Sequence, residues 1–388
     1  MTREGEHHRK SFHALIGLGI CNHVVLSGGR VTVALFALSE GASPLVVGSL
    51  MGLYAFLPML LAVAAGRHSD RVGVRTPMLV GSCGIMLGAA LPCVVPGIAP
   101  LYVATSLIGV SFMVFQVSMQ NATGWYGSAT DRASNFSLVA LGYSISLFGG
   151  PLIAGLLIDH ASFTVTFAVL ALFPLVPIFF LARKSIALPG GHRAAAEAPK
   201  GGLLDLLGSP PLRRVYVINA LLSMAWDLHS FFIPIYGASI GLSASRIGVI
   251  LASFAAATFI VRLLMPRIVR HFSELEVLMV ALFVAGSVFA LFPFVEKLAA
   301  LMALSFTLGL ALGSGQPMVM SLLYSLAPAG RMGEAAGVRM TIINASTFAM
   351  PLLFGAVGST LGLSPVFWTV GAALGGAGML ARRAAAGR

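Results

Sequence analysis

VYVINALLSMAWDLHSFFIPIYG, residues 215 to 237, is apolar enough to cross a bilayer as a helix, yet it carries Asp227 near its middle. Asn219, Ser223, Asp227, Ser230 and Pro234 follow one another at steps of four, four, three and four, which places them on one helical face. A polar stripe on a lipid-compatible cylinder has to look into protein. An ionised Asp at the bilayer centre costs about 2.5 to 3.5 kcal/mol on insertion scales, so Asp227 is expected to be functional and to have a partner. Trp226, Phe231 and Phe232 beside it read either as packing or as walls of an aromatic pocket. His229 faces about 200° from the stripe and reads as a helix-contact histidine.

The rest of the chain has the same character. Of 388 residues 57% are hydrophobic and only 10% are charged, against about 25% charged in an ordinary soluble domain. This is the composition of an integral membrane protein. The formal charge of +11 lies in short loops and not on one face, so it reads as membrane topology, and no nucleic-acid partner is expected. Cys21, Cys83 and Cys93 sit in apolar runs without paired spacing, which points to neither disulfides nor a thiolate metal site. No metal and no cofactor is expected. Nor is a removed leader, because the first apolar run exceeds a signal peptide's core and no small-residue cleavage site follows it.

Apolar runs of about 20 residues, enough to span roughly 30 Å of hydrocarbon, are predicted at 12–38, 44–65, 76–95, 98–122, 134–158, 162–182, 213–238, 244–265, 275–294, 298–324, 335–359 and 363–382. The hydrophilic stretch from Arg183 to Arg214 separates them six and six. The expected organisation is an N-terminal six-helix bundle over 1–182, a cytoplasmic linker over 183–212 and a C-terminal six-helix bundle over 213–388. Within the linker, Gly202 to Leu207 (GLLDLL) has the pattern of a short interfacial helix. With the N-terminus inside, 21 of the 24 Lys and Arg fall on the inner side, which predicts that both termini are cytoplasmic.

Laid over each other at an offset of 200 residues, the halves match at Gly109 and Gly309, Gln116 and Gln316, Pro151 and Pro351, and Gly155 and Gly355. Parallel six-helix repeats with a site between them at mid-membrane are a recurrent transporter architecture. Under this offset His23, Ser27 and Arg30, spaced by four and three, lie opposite Ser223, Asp227 and Ser230. Arg30 is then the natural counter-charge for Asp227. The fourth span adds Gln116 and Gln120 on one face, and the tenth adds Gln316.

GRHSDRVGVR, Gly66 to Arg75, follows the second span. It resembles the loop motif of the major facilitator superfamily, with Gly66, Asp70, Arg71, Gly73 and Arg75 matching and His68 standing where an apolar residue is usual. The resemblance implies a gating loop in which Asp70 holds the cytoplasmic ends of the two halves together in the outward-facing state. GGPLIAG, Gly149 to Gly155, is similar to the antiporter motif of that superfamily's drug:proton exchangers. Gly150, Pro151 and Gly155 match, whereas Ala154, Ser146 and Ser137 replace glycines and Thr105 stands where those exchangers carry an arginine. The implied fold is all-α, twelve transmembrane helices in two pseudo-symmetric six-helix bundles.

The function expected from these readings is secondary active transport of a small organic molecule across a bacterial inner membrane by a monomer alternating between inward-open and outward-open states. Proton-coupled efflux is the leading form, with Asp227 exchanging the proton and Arg30 tuning it. The candidate substrate-binding set is His23, Ser27, Arg30, Gln116, Gln120, Asn219, Ser223, Trp226, Asp227, Ser230 and Gln316. Three alternatives stay open. Asp227 and Arg30 could form a fixed ion pair that only keeps helices in register. Arg30 could clamp the carboxylate of an organic anion taken up by proton symport. The chain could also be a non-transporting membrane sensor. An enzyme is not expected, since no nucleophile, base and oxyanion donor cluster at one depth, and no phosphate-cradling GxxxxGK[ST] loop occurs.

Overall fold

The computed structural model describes residues 3–126, 132–188, 208–326 and 332–386, with the side chains of 3–8, 62–63, 66–67, 70–71, 124–125, 132–134, 136–137, 266, 324, 332–334, 336–337 and 383–386 excepted. The described residues form thirteen α-helices, one 3-10 turn and no strand. In chain order the helices are α1 (Arg3–Ser39), α2 (Pro44–Val72), α3 (Arg75–Val94), α4 (Ala99–Trp125), α5 (Arg132–His160), α6 (Phe163–Leu172) and α7 (Leu175–Ala182). They continue as α8 (Pro210–Ser239), α9 (Ala244–Ile268), α10 (Glu274–Leu291), α11 (Leu298–Leu326), α12 (Met332–Leu361) and α13 (Ser364–Ala386). Helices are forced because hydrocarbon offers the backbone no hydrogen-bond partner. Twelve stretches are long and apolar enough to cross a membrane, at the positions expected. The sixth, Phe163–Ala182, is built from α6 and α7. Its break falls at Phe173 and Pro174, because Pro174 has no N–H to continue the ladder.

One expectation is corrected. The GRHSDRVGVR motif is not a loop throughout: α2 runs on through Gly66 to Val72, and the chain turns at Gly73, whose φ is +84°. Only there does the backbone need the left-handed conformation that glycine adopts freely. The side chains of Gly66, Asp70 and Arg71 lie outside the described residues, as does the stretch 202–207. Arg75 opens α3, and its guanidinium donates to the carbonyls of Leu181 at 3.2 Å and Ile186 at 2.6 Å.

The chain gathers into two compact units. The first comprises Met1–Ala42, Leu53–Ala195 and Leu242–Gly248, the second Ser43–Gly52, Ala196–Gly241 and Val249–Arg388. The start of α2 therefore clusters with the second unit and the start of α9 with the first. Close helix approaches repeat at the 200-residue offset. A Cβ on Gly109 would run into the Tyr54 carbonyl, and one on Gly309 into the Phe254 carbonyl. A Cβ on Gly155 would meet the Ala244 carbonyl, and one on Gly355 would lie 2.7 Å from that of Pro44. Likewise Gly248 abuts the Pro151 carbonyl, and Gly48 that of Pro351. Small residues at these points let backbones touch, which is how helices associate where lipid is as apolar as leucine.

Candidate functional site

In the first unit the polar face of α1 turns toward α3, α5 and α2. Asn22 is fully buried and donates from Nδ2 to Ser82 Oγ at 2.9 Å. His23 Nδ1 is 2.6 Å from Ser146 Oγ, and its ring stacks on Tyr143 at 4.6 Å. Ser27 Oγ donates to the Ser146 carbonyl at 2.8 Å. His23 and Ser27 are thus both engaged with α5. They can be so close because Gly150, from the antiporter-like motif, leaves room for them: a Cβ there would strike Ser27 Oγ and come within 2.8 Å of the Gly28 nitrogen. The other two residues of the motif, Pro151 and Gly155, pack on the first turns of α9. One turn further on, Asp159 accepts the backbone N–H groups of Ala244 at 2.9 Å and Ser245 at 2.8 Å, capping that helix.

Arg30 is placed differently from its stripe-mates. Its guanidinium lies over the Tyr54 ring, 5.5 Å from the centroid, in a cation–π contact. Its Nε and the Tyr54 hydroxyl are both buried without a hydrogen-bond partner among the described residues. On α4, Gln116 is half-buried and Gln120 exposed.

The second unit carries the denser network. Asp227, 9% exposed, accepts from the Thr347 hydroxyl at 2.9 Å through Oδ2. Two turns back along α8, Asn219 Oδ1 accepts from Arg339 Nε at 3.1 Å, and a terminal nitrogen of the same guanidinium donates to Gln316 Oε1. Tyr216 donates to the Ala335 carbonyl at 3.2 Å. The contacts between α8 and α12 join residues 119 to 120 apart, so these two helices run side by side in the same direction. The interval from Asn219 to Asp227 matches that from Arg339 to Thr347, about 12 Å of helix. Ser223 Oγ and Asn219 Nδ2 lie buried on this face without a partner among the described residues. Ser230 instead donates to the Trp226 carbonyl of its own helix at 3.0 Å. Trp226 packs edge-on against Phe254 at 4.8 Å. His229, off the stripe, stacks on the same Phe254 at 4.3 Å and lies 3.0 Å from Ser305 Oγ.

The structure therefore brings Asn219, Gln316 and Asp227 onto one helix seam and adds two residues that the sequence reading missed, Arg339 and Thr347. Arg339 is one of the 21 inner-side cations of the topology count, but it sits half-buried inside α12, within the span Val338–Leu361. The repeat gave no hint of it, since Arg339 falls on Val139 and Thr347 on Leu147. The available signal was the matched eight-residue interval on two spans. Arg30 belongs to the first unit and Asp227 to the second.

The comparisons with known proteins agree with this architecture. The model of the Major Facilitator Superfamily matches residues 16–351. The chain is 25% identical over 342 residues to the class G tetracycline resistance protein of Vibrio anguillarum, covering 84% of each chain. It is 23% identical over 361 residues to the class D tetracycline resistance protein of Salmonella ordonez, covering 85% of this chain and 84% of that one. Among solved structures, a POT family transporter in complex with a thioalcohol-conjugated peptide superposes with a TM-score of 0.81 at 13% identity, over 96% of this chain and 95% of that one. The nucleoside transporter NupG superposes with a TM-score of 0.78 at 12% identity, over 96% and 98%. At such identities the structures share the fold alone. A twelve-span, all-helical chain with a buried polar seam, matched by the family model over most of its length, is a membrane transporter and belongs to the Major Facilitator Superfamily.

Proposed function

We propose that this transporter exports a small amphipathic organic molecule from a bacterial cytoplasm in exchange for protons. Residues 1–182 rock against 213–388, and both termini lie on the cytoplasmic side. The observation that carries the reading is the α8–α12 seam, where a buried carboxyl group (Asp227 with Thr347) lies two turns from a guanidinium held by Asn219 and Gln316 (Arg339). As a carboxylate, Asp227 accepts the Thr347 hydroxyl and attracts a cationic or hydrogen-bond-donating substrate. Protonated, it is neutral and releases that substrate. One proton taken up from outside as substrate leaves, and given to the cytoplasm as the next substrate binds, completes the exchange. The pairing of Asp227 with Arg30 is part of this proposal, the arginine competing with substrate for the carboxylate. The resemblance to tetracycline resistance proteins supports export.

The experiment is a growth panel in an efflux-deficient bacterium, comparing the native chain with Asp227→Asn across cationic drugs, neutral antibiotics and organic acids. Resistance conferred by the native chain and lost in the variant is the expected result; resistance that survives the substitution removes Asp227 from coupling. A second reading, uptake of an organic anion, is favoured by one observation, the buried Arg30 Nε with no partner among the described residues. It predicts growth on a new acid, and that Arg30→Lys weakens apparent substrate affinity more than Asp227→Asn does, because lysine lacks the planar fork.

A further inference from the structure

A second, unassigned site lies at the end of the second unit where α8 begins. A cavity of about 430 Å³ opens there, walled by Val215, Ile218, Leu275, Leu322, Leu326 and Ala381. Shifted by 200 residues, these positions are Leu15, Leu18, Arg75, Ala122, Tyr126 and Leu181. In the first unit that same place is filled. Ile186, 2% exposed, is part of the core cluster with Leu15, Leu18, Ala122, Tyr126 and Leu181, and Leu188 packs against it. The filling segment is tied down by Arg75 donating to the Ile186 carbonyl at 2.6 Å, by Tyr126 donating to the Ala187 carbonyl, and by the Ala187 N–H donating to Ser11 Oγ at 3.3 Å.

Among the described residues of the second unit none of these ties recurs. Leu275, Leu326 and Pro211 stand where Arg75, Tyr126 and Ser11 would be, and the register of Ile186 to Leu188 reads Ala386, Gly387 and Arg388. The chain thus offers no branched apolar side chain at that register. It offers two cations instead: Arg213 and Arg214 are exposed and line the mouth of the cavity. Among the described residues no carboxylate lines it. The acidic residues closest in sequence are occupied, Glu274 accepting from Ser321 and Glu276 from Ser273, both at 2.8 Å. Lining residues Pro211 to Ile218 cover about 10 Å along the helix axis, from the edge of the span into its apolar part.

We infer that this cavity binds one anionic phospholipid, with an acyl chain where Ile186 and Leu188 sit in the first unit and the phosphate on Arg213 and Arg214. A guanidinium pairs phosphate through two parallel N–H donors, and basic pockets between helices at the membrane surface select anionic headgroups. The proposal rests on the membrane location of the chain and not on the direction of transport or on Asp227.

The test is native mass spectrometry of the purified full chain titrated with phosphatidylglycerol or phosphatidylcholine of identical acyl chains. The native chain is expected to retain one phosphatidylglycerol with roughly 30-fold preference, the effect of two arginines at a membrane surface. Arg213→Ala with Arg214→Ala should abolish the preference, and Arg213→Lys with Arg214→Lys should keep most of it. Val217→Trp, at an exposed position that lines the cavity, should lower retention of both lipids. Unchanged melting temperatures confirm that the variants fold. Equal retention of both lipids by the native chain, a preference that survives the alanine pair, or inorganic phosphate alone binding as tightly as the lipid would each overturn the proposal.

Discussion

The two six-helix repeats share a frame and differ in what they put inside it. Glycines 109 and 309, 155 and 355, and 48 and 248 meet equivalent carbonyls in the two units, and Gly41 and Gly241 turn the chain at φ of 78° and 75°. Gln116 and Gln316 apart, the charged and polar groups of the sites do not follow the repeat: Asp227 lies over Ser27, Arg339 over Val139, and Asp159 over Ser359. The last pair shows why. Asp159 has the N–H groups of Ala244 and Ser245 to accept, whereas the equivalent helix starts at Pro44, which has no N–H, and Ser359 donates to its own helix at Ala356. Close packing has one geometric solution and recurs; chemistry needs a particular partner and appears once. The close-packed glycines of this fold therefore mark scaffold, and the charged residues that break the repeat mark sites.

Four measurements would break or sharpen that contrast. The largest effect is expected from Asp227→Asn, which should reduce pH-gradient-driven transport in inverted membrane vesicles to the level of empty vesicles, while Ser27→Ala at the equivalent position changes it less than about twofold, the loss of one modest hydrogen bond. Next, Arg339→Ala leaves the buried amide oxygen of Asn219 and the half-buried one of Gln316 without that donor. It should destabilise by about 1–3 kcal/mol for each group so exposed, read as a lowered melting temperature, with transport reduced and only partly restored by Arg339→Lys. Gly109→Val and Gly309→Val should each overpack a backbone contact and destabilise by about 1–3 kcal/mol, to a similar degree; a large effect at one site alone would refute the shared frame. The smallest effects are expected at the capping pair. Asp159→Ala should weaken the start of α9 by about 0.5–2 kcal/mol, and Ser359→Asp should gain less than that, since Pro44 has no N–H and only Leu45 is left to donate.

Much of the fold was legible because the bilayer makes it so. A span must be about 20 residues of apolar helix, so twelve runs and the face bearing Asn219, Ser223 and Asp227 could be read directly from residue order. The site was legible only in part. His23 and Ser27 share a face with Arg30, yet Gly150 on α5 draws those two into contact with Ser146 while Arg30 goes to Tyr54. His229 fits its reading as a helix-contact residue, held by Phe254 and Ser305.

By itself, then, the sequence determined the element type, the number of spans and the presence of an intramembrane carboxylate, which follow from local periodicity and the absence of water in hydrocarbon, and the internal repeat, which is read by laying the halves over each other. Only the tertiary structure decided the partners. Arg339 looks like any basic residue near the end of a span until α12 is laid beside α8 with Thr347 level with Asp227. The vacancy below Leu326 is invisible until its filled counterpart around Ile186 is in view. Such contacts join residues more than 100 positions apart, and the spacing within one helix does not encode the distance to another.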